Sequence, residues 1–389
     1  MSARLDVDRL LDQSSIIVCC GAGGVGKTTT SAALALRAAE RGRTECVLTI
    51  DPARPLAQAM GQTELDNTPR TVADVDPAAG GSLDAMMLDM KRTFDEIVLA
   101  HADPQRAEQI LANPFYVSLS SSFAGTQEYM AMEKLGQLRE LGTWDLIVVD
   151  TPPSRSALDF LDAPQRLGRF LDGRMIRMLL APAKAGGRGV MKVFSVGINV
   201  FTSVLTRVLG AQALKDLSLF VASLETMFGG FRERADHTYR LLKEDGTAFV
   251  VIAVPERDAL REAAYFVDRL ASERMPLAGL VLNRVHTSAA SGLSVERSLA
   301  AAESLDKSGD SPLTAAVLRI HAERLATAAR DRRMAERFTA SHPDVPVVQV
   351  AAQASDVHDL AGLRRIGGEL ANGPEATAPV RPAGKRRAG

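Results

Sequence analysis

The sequence predicts an α/β fold built on a mainly parallel sheet. Short runs of β-branched and other apolar residues alternate with stretches of helical periodicity, which is the pattern of a parallel sheet covered by helices on both faces. A glycine-rich loop separates the first apolar run from the first amphipathic stretch. We predict strands at Ser15–Cys20, Glu45–Ile50, Leu83–Leu88, Leu146–Val149, Ala248–Val254, Leu277–Leu282 and Val345–Val350.

Helices are predicted where apolar residues recur at helical spacing after a strand. Two long stretches also show this periodicity without a convincing strand, and we interpret them as one helical subdomain inserted into a single domain of residues 1–370. Residues 371–389 are mostly Ala, Pro, Gly and Arg and predict a disordered tail. The clearest helices are Lys27–Arg41, Arg257–Leu270 and Val357–Leu370, and the two helical stretches are Met90–Gly142 and Phe160–Lys243.

The charge balance and the apolar stretches limit the partners of the chain. It has 46 Lys and Arg against 47 Asp and Glu, so no overall field would attract nucleic acid or an anionic membrane. The N-terminal residues lack the apolar core of a signal peptide. The longest apolar stretch, Val193–Leu205, is interrupted by polar residues and falls short of the roughly 20 residues that cross a bilayer. We expect a cytoplasmic protein that binds no nucleic acid and reaches a membrane only through a partner.

The three cysteines of the sequence are Cys19, Cys20 and Cys46. They are too few and too clustered for a disulfide framework, and they lack the CxxC spacing of a zinc site. Because all of them fall in predicted buried strands, we interpret them as small core residues. Reactive thiols are the alternative.

The glycine-rich loop carries the strongest functional signal. Residues 21–29 read GAGGVGKTT and fit the pattern G-x-x-x-x-G-K-[ST] between a buried strand and an amphipathic helix. The glycines permit backbone angles that turn successive N–H groups toward phosphate oxygens, and the helix adds the positive end of its dipole. Lys27 would reach the β- and γ-phosphates, and the Thr28 hydroxyl would bind Mg²⁺. The predicted nucleotide-binding residues are Gly21, Ala22, Gly23, Gly24, Val25, Gly26, Lys27, Thr28 and Thr29.

Two acidic residues that follow predicted strands are candidates for the metal and the attacking water. Asp150 follows the apolar run Leu146–Val149, where a P-loop needs a carboxylate near its metal, although a capping aspartate is the alternative. Asp51 follows the next strand after the P-loop helix and is placed to orient water, although an Asp-Pro turn also explains it. We predict Lys27, Asp51 and Asp150 as catalytic residues. Thr28, Asp51 and Asp150 are the predicted Mg²⁺ ligands, the two acids through water.

The nucleotide base is predicted to be adenine. Guanine-binding strands end in an Asn-Lys-x-Asp run whose Asp accepts from the guanine edge, whereas this strand ends in Asn283, Arg284, Val285 and His286, without an acid. The Asn283 carboxamide can both donate to and accept from an adenine edge. A structural Asn at a strand end is an equal alternative on these residues alone.

In this order, the motifs resemble the arsenite-pump ATPase family (ArsA), which includes the eukaryotic ATPase that targets tail-anchored membrane proteins. The resemblance extends nearly to Leu370, and its last segment is similar to actinobacterial members described as anion-transporting ATPases. The segments that carry it are GAGGVGKTTT, TIDPA, DTPPSRSALDFLDAP, VPERDALRE, LVLNRV and VHDLAGL.

The resemblance implies a P-loop NTPase fold of the deviant Walker A type with a helical insertion. It implies ATP and Mg²⁺ as cofactors and a dimer that closes around ATP. It assigns Lys27 and Thr28 to phosphate and Mg²⁺, Asp51 to the attacking water, Asp150 to the metal and Asn283 to adenine. The resemblance adds most to the roles of Asp51 and Asn283, because the residues around each of them do not decide between the functional and the structural interpretation.

Three departures from the family pattern matter. The family usually has G-K-G-G-V-G-K-T, whose first lysine reaches the nucleotide of the partner subunit, and Ala22 stands at that position. The chain has one P-loop, and it lacks both the zinc-binding CxxC and the paired cysteines of an arsenite sensor. We therefore expect slow hydrolysis by the chain alone, no zinc, no arsenite response, and a homodimer or a heterodimer with a lysine-bearing paralogue. Arg54 or Arg155 could instead replace the lysine.

The second helical stretch has apolar side chains over much of its girth. A helix of this kind is buried or faces a client. An ordinary helical core with a dimer seam explains it, and binding of a hydrophobic client, which the resemblance favours, is the alternative. Three functions therefore compete: a targeting ATPase for hydrophobic clients, the soluble ATPase subunit of an anion exporter, and a slow regulatory nucleotide-binding subunit. The apolar positions are Phe194, Ile198, Phe201, Leu205 and Val208, with Val193, Val196, Val200 and Val204 beside them.

Overall fold

The computed structural model of the chain confirms the α/β fold. It describes residues 3–50, 55–62, 64–114, 116–117, 120, 126–152, 233–234, 236–288 and 292–373. The strands are β1 Ile16–Gly21, β2 Thr44–Thr49, β3 Arg70–Thr71, β4 Ser82–Met87, β5 Leu146–Asp150, β6 Thr247–Ala253, β7 Leu277–Val285 and β8 Val347–Ala351. They form one sheet in the order β3-β4-β2-β5-β1-β6-β7-β8, and every neighbouring pair is parallel except β3 and β4.

All seven predicted strands are present, with ends within three residues of the expected positions. The two-residue edge strand β3 was not predicted, because two exposed residues carry no periodicity. The strands next to β1 are buried along their whole length, as expected for a parallel sheet with helices on both faces.

The helices of the described residues flank this sheet. The first predicted helix begins at the expected residue, whereas the last begins three residues later than predicted. The helices are α1 Val7–Gln13, α2 Lys27–Ala39, α3 Pro55–Ala59, α4 Met90–His101, α5 Pro104–Leu111, α6 Thr126–Leu141, α7 Arg257–Glu273, α8 Val295–Ser308, α9 Pro312–Ser341 and α10 Leu360–Asn372.

Helices α1, α3, α8 and α9 were not predicted. In α9, which is 30 residues long, the buried positions are mostly alanines, and large apolar residues such as Leu313 and Ile320 are exposed. The apolar stripe that marks a surface helix is therefore weak in this segment. Helix α9 packs along α8, so its stability comes from a neighbour that the periodicity does not reveal.

The predicted helical subdomain is described only in part. Helices α4, α5 and α6 lie within the first of its two stretches, and the described residues there include no strand. Most of the second stretch, including the apolar positions between Val193 and Val208, lies outside the described residues. The joining of both stretches into one subdomain stays a prediction, as does the disordered tail, of which only residues 371–373 are described.

The sheet separates two apolar clusters. Alternate residues of β1 point to opposite sides, with Ile16 and Val18 in the cluster under α4, α6 and α7, and Ile17 and Cys19 in the cluster under α1, α2 and α10. Both clusters consist of buried residues. The central strand β1 is therefore held from both faces, which makes its carboxyl end a rigid place to begin a loop.

The order of the strands creates a crevice at the end of β1. From β1 the chain passes through α2 to β2, which lies on the far side of β5, whereas β6 pairs with β1 on its other side. In open α/β sheets, ligands bind outside the carboxyl ends of the strands where the strand order reverses in this way. The glycine-rich loop begins at this point.

Candidate functional site

The loop between β1 and α2 requires glycine at two positions. Gly21, with φ of +154°, lies so close to β6 that a Cβ atom there would be 2.1 Å from the Ile252 carbonyl oxygen. Gly26 has φ of +91°, and a Cβ atom there would lie 2.3 Å from Nδ2 of Asn283. A side chain at either position would meet both steric overlap and backbone strain. The loop is therefore wedged between β6 and the end of β7.

Lys27 begins α2 and lies over the loop. Its side chain is largely buried, and Nζ donates a hydrogen bond to the Ala22 carbonyl oxygen over 2.9 Å. The N-terminal residue of α2 is preceded by Gly26, which supplies no side-chain cap, so the first N–H groups of the helix face the loop. An ammonium group and a helix N-terminus at one point make a binding site for anions.

Asp150 lies beside this loop at the end of β5. It is fully buried, and its Oδ2 accepts hydrogen bonds from Thr28 Oγ1 at 2.7 Å and from Thr49 Oγ1 at 3.0 Å. The parallel register places Cys19 of β1 and Thr49 of β2 level with Asp150. Strand pairing therefore brings together the carboxylate and the Thr28 hydroxyl, which are 122 residues apart in the chain.

The chemistry of this pair fits a magnesium ion. A hydroxyl and a carboxylate are hard oxygen donors, and Mg²⁺ is usually held by one or two such groups together with water and the phosphates of a substrate. Within the part of the chain that the structure describes, no group of three or more His, Cys, Asp or Glu residues could hold a metal ion. The Mg²⁺ ligands and the expected lack of zinc stay predictions.

Asn283 approaches the same loop from the end of β7. Its Nδ2 donates to the Val25 carbonyl oxygen at 2.9 Å, and its Oδ1 accepts from the Arg284 N–H at 2.9 Å. The side chain is 9% exposed. The structure therefore places Asn283 beside the predicted phosphate loop, with both polar atoms engaged by backbone. Its contact with adenine stays a prediction.

A cavity of about 790 Å³ lies between the start of α2 and the end of β7. Gly24, Gly26 and the residues from Lys27 to Thr30 line one side, and Asn283 and Arg284 line another. Its size is in the range of small-molecule and cofactor sites. Of the other predicted loop residues, Gly21 and Val25 are buried, Ala22 is half-buried and Gly23 is exposed.

The segment 351–358, after β8, lines the remaining side of the cavity, and the sequence did not reveal it. Gln353 Nε2 donates to the Ala351 carbonyl and to Oε1 of Glu369 on α10, and Glu369 also accepts from the Ala351 N–H. A carboxylate of α10 therefore holds the start of this segment. The available signal was its position after the last parallel strand, where ligand-binding loops lie.

Several predicted residues lie outside the described residues. These are Asp51, Arg54 and Arg155, together with the apolar stripes of the second helical stretch. The preceding strand β2 is described as far as Thr49 and Ile50, and it ends beside β5. The role of Asp51 in orienting water therefore stays a prediction.

The cysteines lie in the core strands. Cys19, Cys20 and Cys46 are buried, and burial raises the pKa of the Cys19 thiol to about 12. Burial also raises the pKa values of Cys20 and Cys46. A buried thiol of this kind stays protonated and is a poor nucleophile and metal ligand. Their placement agrees with the interpretation of small core residues.

The part of the chain that holds this site matches a known protein family. The family model described as anion-transporting ATPase (ArsA_ATPase) matches residues 14–294, which include the P-loop, Asp150 and Asn283. The chain belongs to the anion-transporting ATPase family. Members of this family use a P-loop to bind and hydrolyse ATP, so this chain is an ATP-binding ATPase.

Relatives of this ATPase family resemble most of the chain. It is 27% identical over 281 residues to the ATPase GET3 of Podospora anserina, which covers 71% of this chain and 75% of that protein. It is 28% identical over 282 residues to the ATPase get3 of Schizosaccharomyces pombe, covering 72% of this chain and 76% of that protein. The ATPase GET3 of Malassezia globosa is 26% identical over 282 residues, with shares of 72% and 76%.

In the residues that the structure describes, no helix is both long enough and apolar enough to cross a bilayer.

Proposed function

We propose that this chain is a dimeric Mg-ATPase in which ATP-driven closure is coupled to a hydrophobic client or membrane partner. The observation that carries the proposal is the hydrogen bond between Thr28 Oγ1 and Asp150 Oδ2. This hydrogen bond joins the P-loop helix to the end of β5, so a ligand bound at the helix would affect the strand end, and the reverse. Family membership supports the ATPase activity, and the coupling to a partner is our inference.

The roles of the residues follow from their chemistry. The N–H groups of the loop and the Lys27 ammonium would bind the phosphates, and Thr28 with Asp150 would hold Mg²⁺. The bound ion would supply positive charge to the phosphate oxygens. Asp51, by resemblance, would orient the attacking water. The chain's own contribution is a set of groups already held in place by β1, β5 and α2, so little reorganisation is needed.

Ala22 argues for slow turnover by the chain alone. A methyl group at this position cannot deliver a positive charge to the nucleotide of a partner subunit. A cation supplied in trans can be worth roughly 10³–10⁵ in the rate of phosphoryl transfer. We therefore propose either a homodimer that hydrolyses ATP slowly or a heterodimer in which a lysine-bearing paralogue supplies the charge. Arg54 or Arg155 is the alternative source of the charge.

Two alternative functions are each favoured by a specific observation. The family description, anion-transporting ATPase, favours a soluble ATPase subunit of an anion exporter in the cytoplasm. Ala22 favours a regulatory subunit that binds ATP and barely hydrolyses it. The similarity to relatives named ATPase GET3 and the targeting role that the resemblance implies favour the client-binding ATPase, which we propose first.

Nucleotide binding and turnover test the core of the proposal. Calorimetric titration with ATP should show an affinity that depends on Mg²⁺, and Lys27→Ala should lose most of it. Turnover should be slow for the chain alone and rise when a lysine-bearing paralogue is added. A wild-type chain without Mg²⁺-dependent ATP affinity would refute the proposal, and fast turnover alone would refute the need for a partner.

Client binding needs a separate measurement. A fluorescent apolar helical peptide, kept soluble without detergent, should bind the chain with different affinities in the presence of ATP and ADP. A peptide of the same composition but with charges on its apolar face is the control. If neither peptide binds in the presence of ATP or of ADP, the client-binding function is excluded and the exporter or regulatory subunit is favoured.

A further inference from the structure

Asn283 contacts the P-loop as well as the cavity. Its carboxamide nitrogen donates to the Val25 carbonyl, and its oxygen accepts from the N–H of the next residue, Arg284. A carbonyl can only accept and an N–H can only donate, so these two contacts define which end of the amide points where. The nitrogen faces the loop. The side chain is therefore held in one orientation by the backbone on both sides.

The end of β7 is bent to make this contact. Arg284 has φ of +55°, which is unfavourable for a residue with a side chain, and the pairing of β7 with β8 shifts register between Leu282 and Val285. Irregularities of this kind turn a strand side chain in a new direction. Left-handed backbone at a residue other than glycine persists only where its surroundings hold it. Here the Arg284 N–H is held by Asn283 itself.

The hydrogen bond to Val25 has a consequence for the phosphate site. The Val25 carbonyl and the Gly26 N–H belong to one planar trans peptide group, so they point in opposite directions. When Asn283 holds the carbonyl on its own side, the Gly26 N–H points to the other. Gly26 immediately precedes α2 and lines the cavity. This N–H is one of the donors from which a phosphate-binding nest is built.

We propose that Asn283 is a positioning residue for the phosphates, in addition to its predicted contact with the base. It holds the Val25–Gly26 peptide in the orientation that presents the Gly26 N–H to phosphate oxygens. The absence of a side chain at Gly26 leaves room for the carboxamide to approach this closely. The inference rests on the proposed function and assigns to one side chain a link between base and phosphate binding.

A ligand without a base separates the two roles. Inorganic tripolyphosphate with Mg²⁺ has the phosphates of ATP and nothing that Asn283 could recognise as a base. If Asn283 only contacts adenine, Asn283→Ala will weaken ATP and leave tripolyphosphate unchanged. If Asn283 orients the peptide, the same variant will weaken both ligands. We expect tripolyphosphate affinity to fall about tenfold, the effect of losing one buried hydrogen bond to the loop.

Gln353→Ala is the matched control. Gln353 also presents a carboxamide to the cavity, but its hydrogen bonds are to Ala351 and Glu369, neither of which belongs to the P-loop. This variant should leave tripolyphosphate affinity unchanged, whatever it does to ATP. A loss of tripolyphosphate affinity in both variants would overturn the inference, because it would show a general disturbance of the cavity.

Hydrogen exchange supplies a second measurement, which does not depend on affinity. In Asn283→Ala, the peptide that contains Val25 and Gly26 should exchange faster, while peptides from β5 and α7 keep their wild-type protection. Unchanged exchange in the loop, or a weakening of ATP alone, would overturn the inference and leave the proposed function standing. A wild-type chain that binds neither ATP nor tripolyphosphate would refute both.

Discussion

Two buried carboxyl groups on neighbouring strands have opposite surroundings. Asp150 is the last residue of β5, and its Oδ2 accepts hydrogen bonds from two threonine hydroxyls. Glu45 lies near the start of β2 and is equally buried, yet among the described residues neither of its carboxyl oxygens has a hydrogen-bond partner. Burial raises the pKa of Glu45 well above its ordinary value, and the nearby Arg43 opposes this rise only in part.

This difference shows at which end of a parallel sheet a buried acid can take part in ligand binding. Glu45 is level with Leu146 and Thr49 is level with Asp150, so the two acids lie four residues apart along the strands, roughly 13 Å. The carboxyl end offers the hydroxyls of Thr28 on α2 and Thr49 on β2, together with a helix N-terminus. At the amino end, Glu45 lies level with Leu83 and Leu146 of the neighbouring strands. Burial without partners costs stability, whereas burial with partners at a ligand site prepares a group for function.

Isosteric amides should separate the two acids most strongly. Asp150→Asn is expected to lower Mg²⁺-dependent ATP turnover by roughly 10²–10³, because an amide replaces the negative oxygen beside Thr28. Glu45→Gln should keep turnover within about twofold, since Glu45 lies at the other end of the strand. Steady-state phosphate release measures the turnover of both variants. Similar losses of turnover in the two would show that the position along the strand does not decide the role of the acid.

A positive charge at the loop should have the next largest effect. Ala22→Lys restores the cation that the family pattern has at this position, and we expect turnover to rise by about tenfold or more at saturating ATP. Ala22→Met adds similar length without charge and is the control. If the methionine variant accelerates turnover as much as the lysine variant, the effect comes from packing and not from charge.

Glu45 should reveal its cost in the free energy of unfolding. Glu45→Met removes an unpaired buried carboxyl and should raise this free energy by about 2 kcal/mol at pH 8. Because the folded pKa is raised, the unfolded state ionises first as pH rises above its ordinary value of 4.5, so wild-type stability falls from there to the folded pKa.

The gain in the free energy of unfolding from Glu45→Met should depend on pH. Near pH 4, where both states of the wild type are protonated, the gain from Glu45→Met should be smallest, and it should grow toward pH 8. Urea denaturation at several pH values measures it. The exposed Glu108→Met variant should show no such growth with pH, and a constant gain for Glu45→Met would contradict ionisation as the cause.

The smallest expected effect concerns backbone strain at the site. Arg284→Gly relieves a left-handed conformation worth roughly 1–2 kcal/mol, and the greater freedom of glycine in the unfolded chain offsets about half of this. We expect a net rise in the free energy of unfolding of under about 1 kcal/mol. Thermal denaturation measures it, with Arg274→Gly, another left-handed arginine away from the cavity, as the comparison. A loss of stability would mean that the arginine side chain itself stabilises the strand end.

The P-loop and the strands beside it could be predicted from the sequence, because each is specified by a short local pattern. The P-loop needs glycines, a lysine and a threonine at fixed spacing, and the strands beside it are continuous apolar runs. The sequence also pointed to Asp150 and Asn283, since each follows a predicted strand of a parallel sheet whose carboxyl ends meet at one edge. The structure places both beside the P-loop, and their roles stay predictions. Prediction from sequence missed the segment 351–358 and Glu369, because their contacts join parts of the chain that no local pattern links.

The kind of fold, the family and the phosphate-binding loop can be recognised from the sequence alone, because local spacing is enough to identify them. The tertiary structure was needed to show that Asp150 lies within hydrogen-bond distance of Thr28 and that Asn283 donates to the Val25 carbonyl. It also shows that, among the described residues, neither carboxyl oxygen of Glu45 has a hydrogen-bond partner. Such contacts depend on strand order and register, which bring together residues more than a hundred positions apart. Those quantities arise when the whole sheet assembles, and no short segment encodes them.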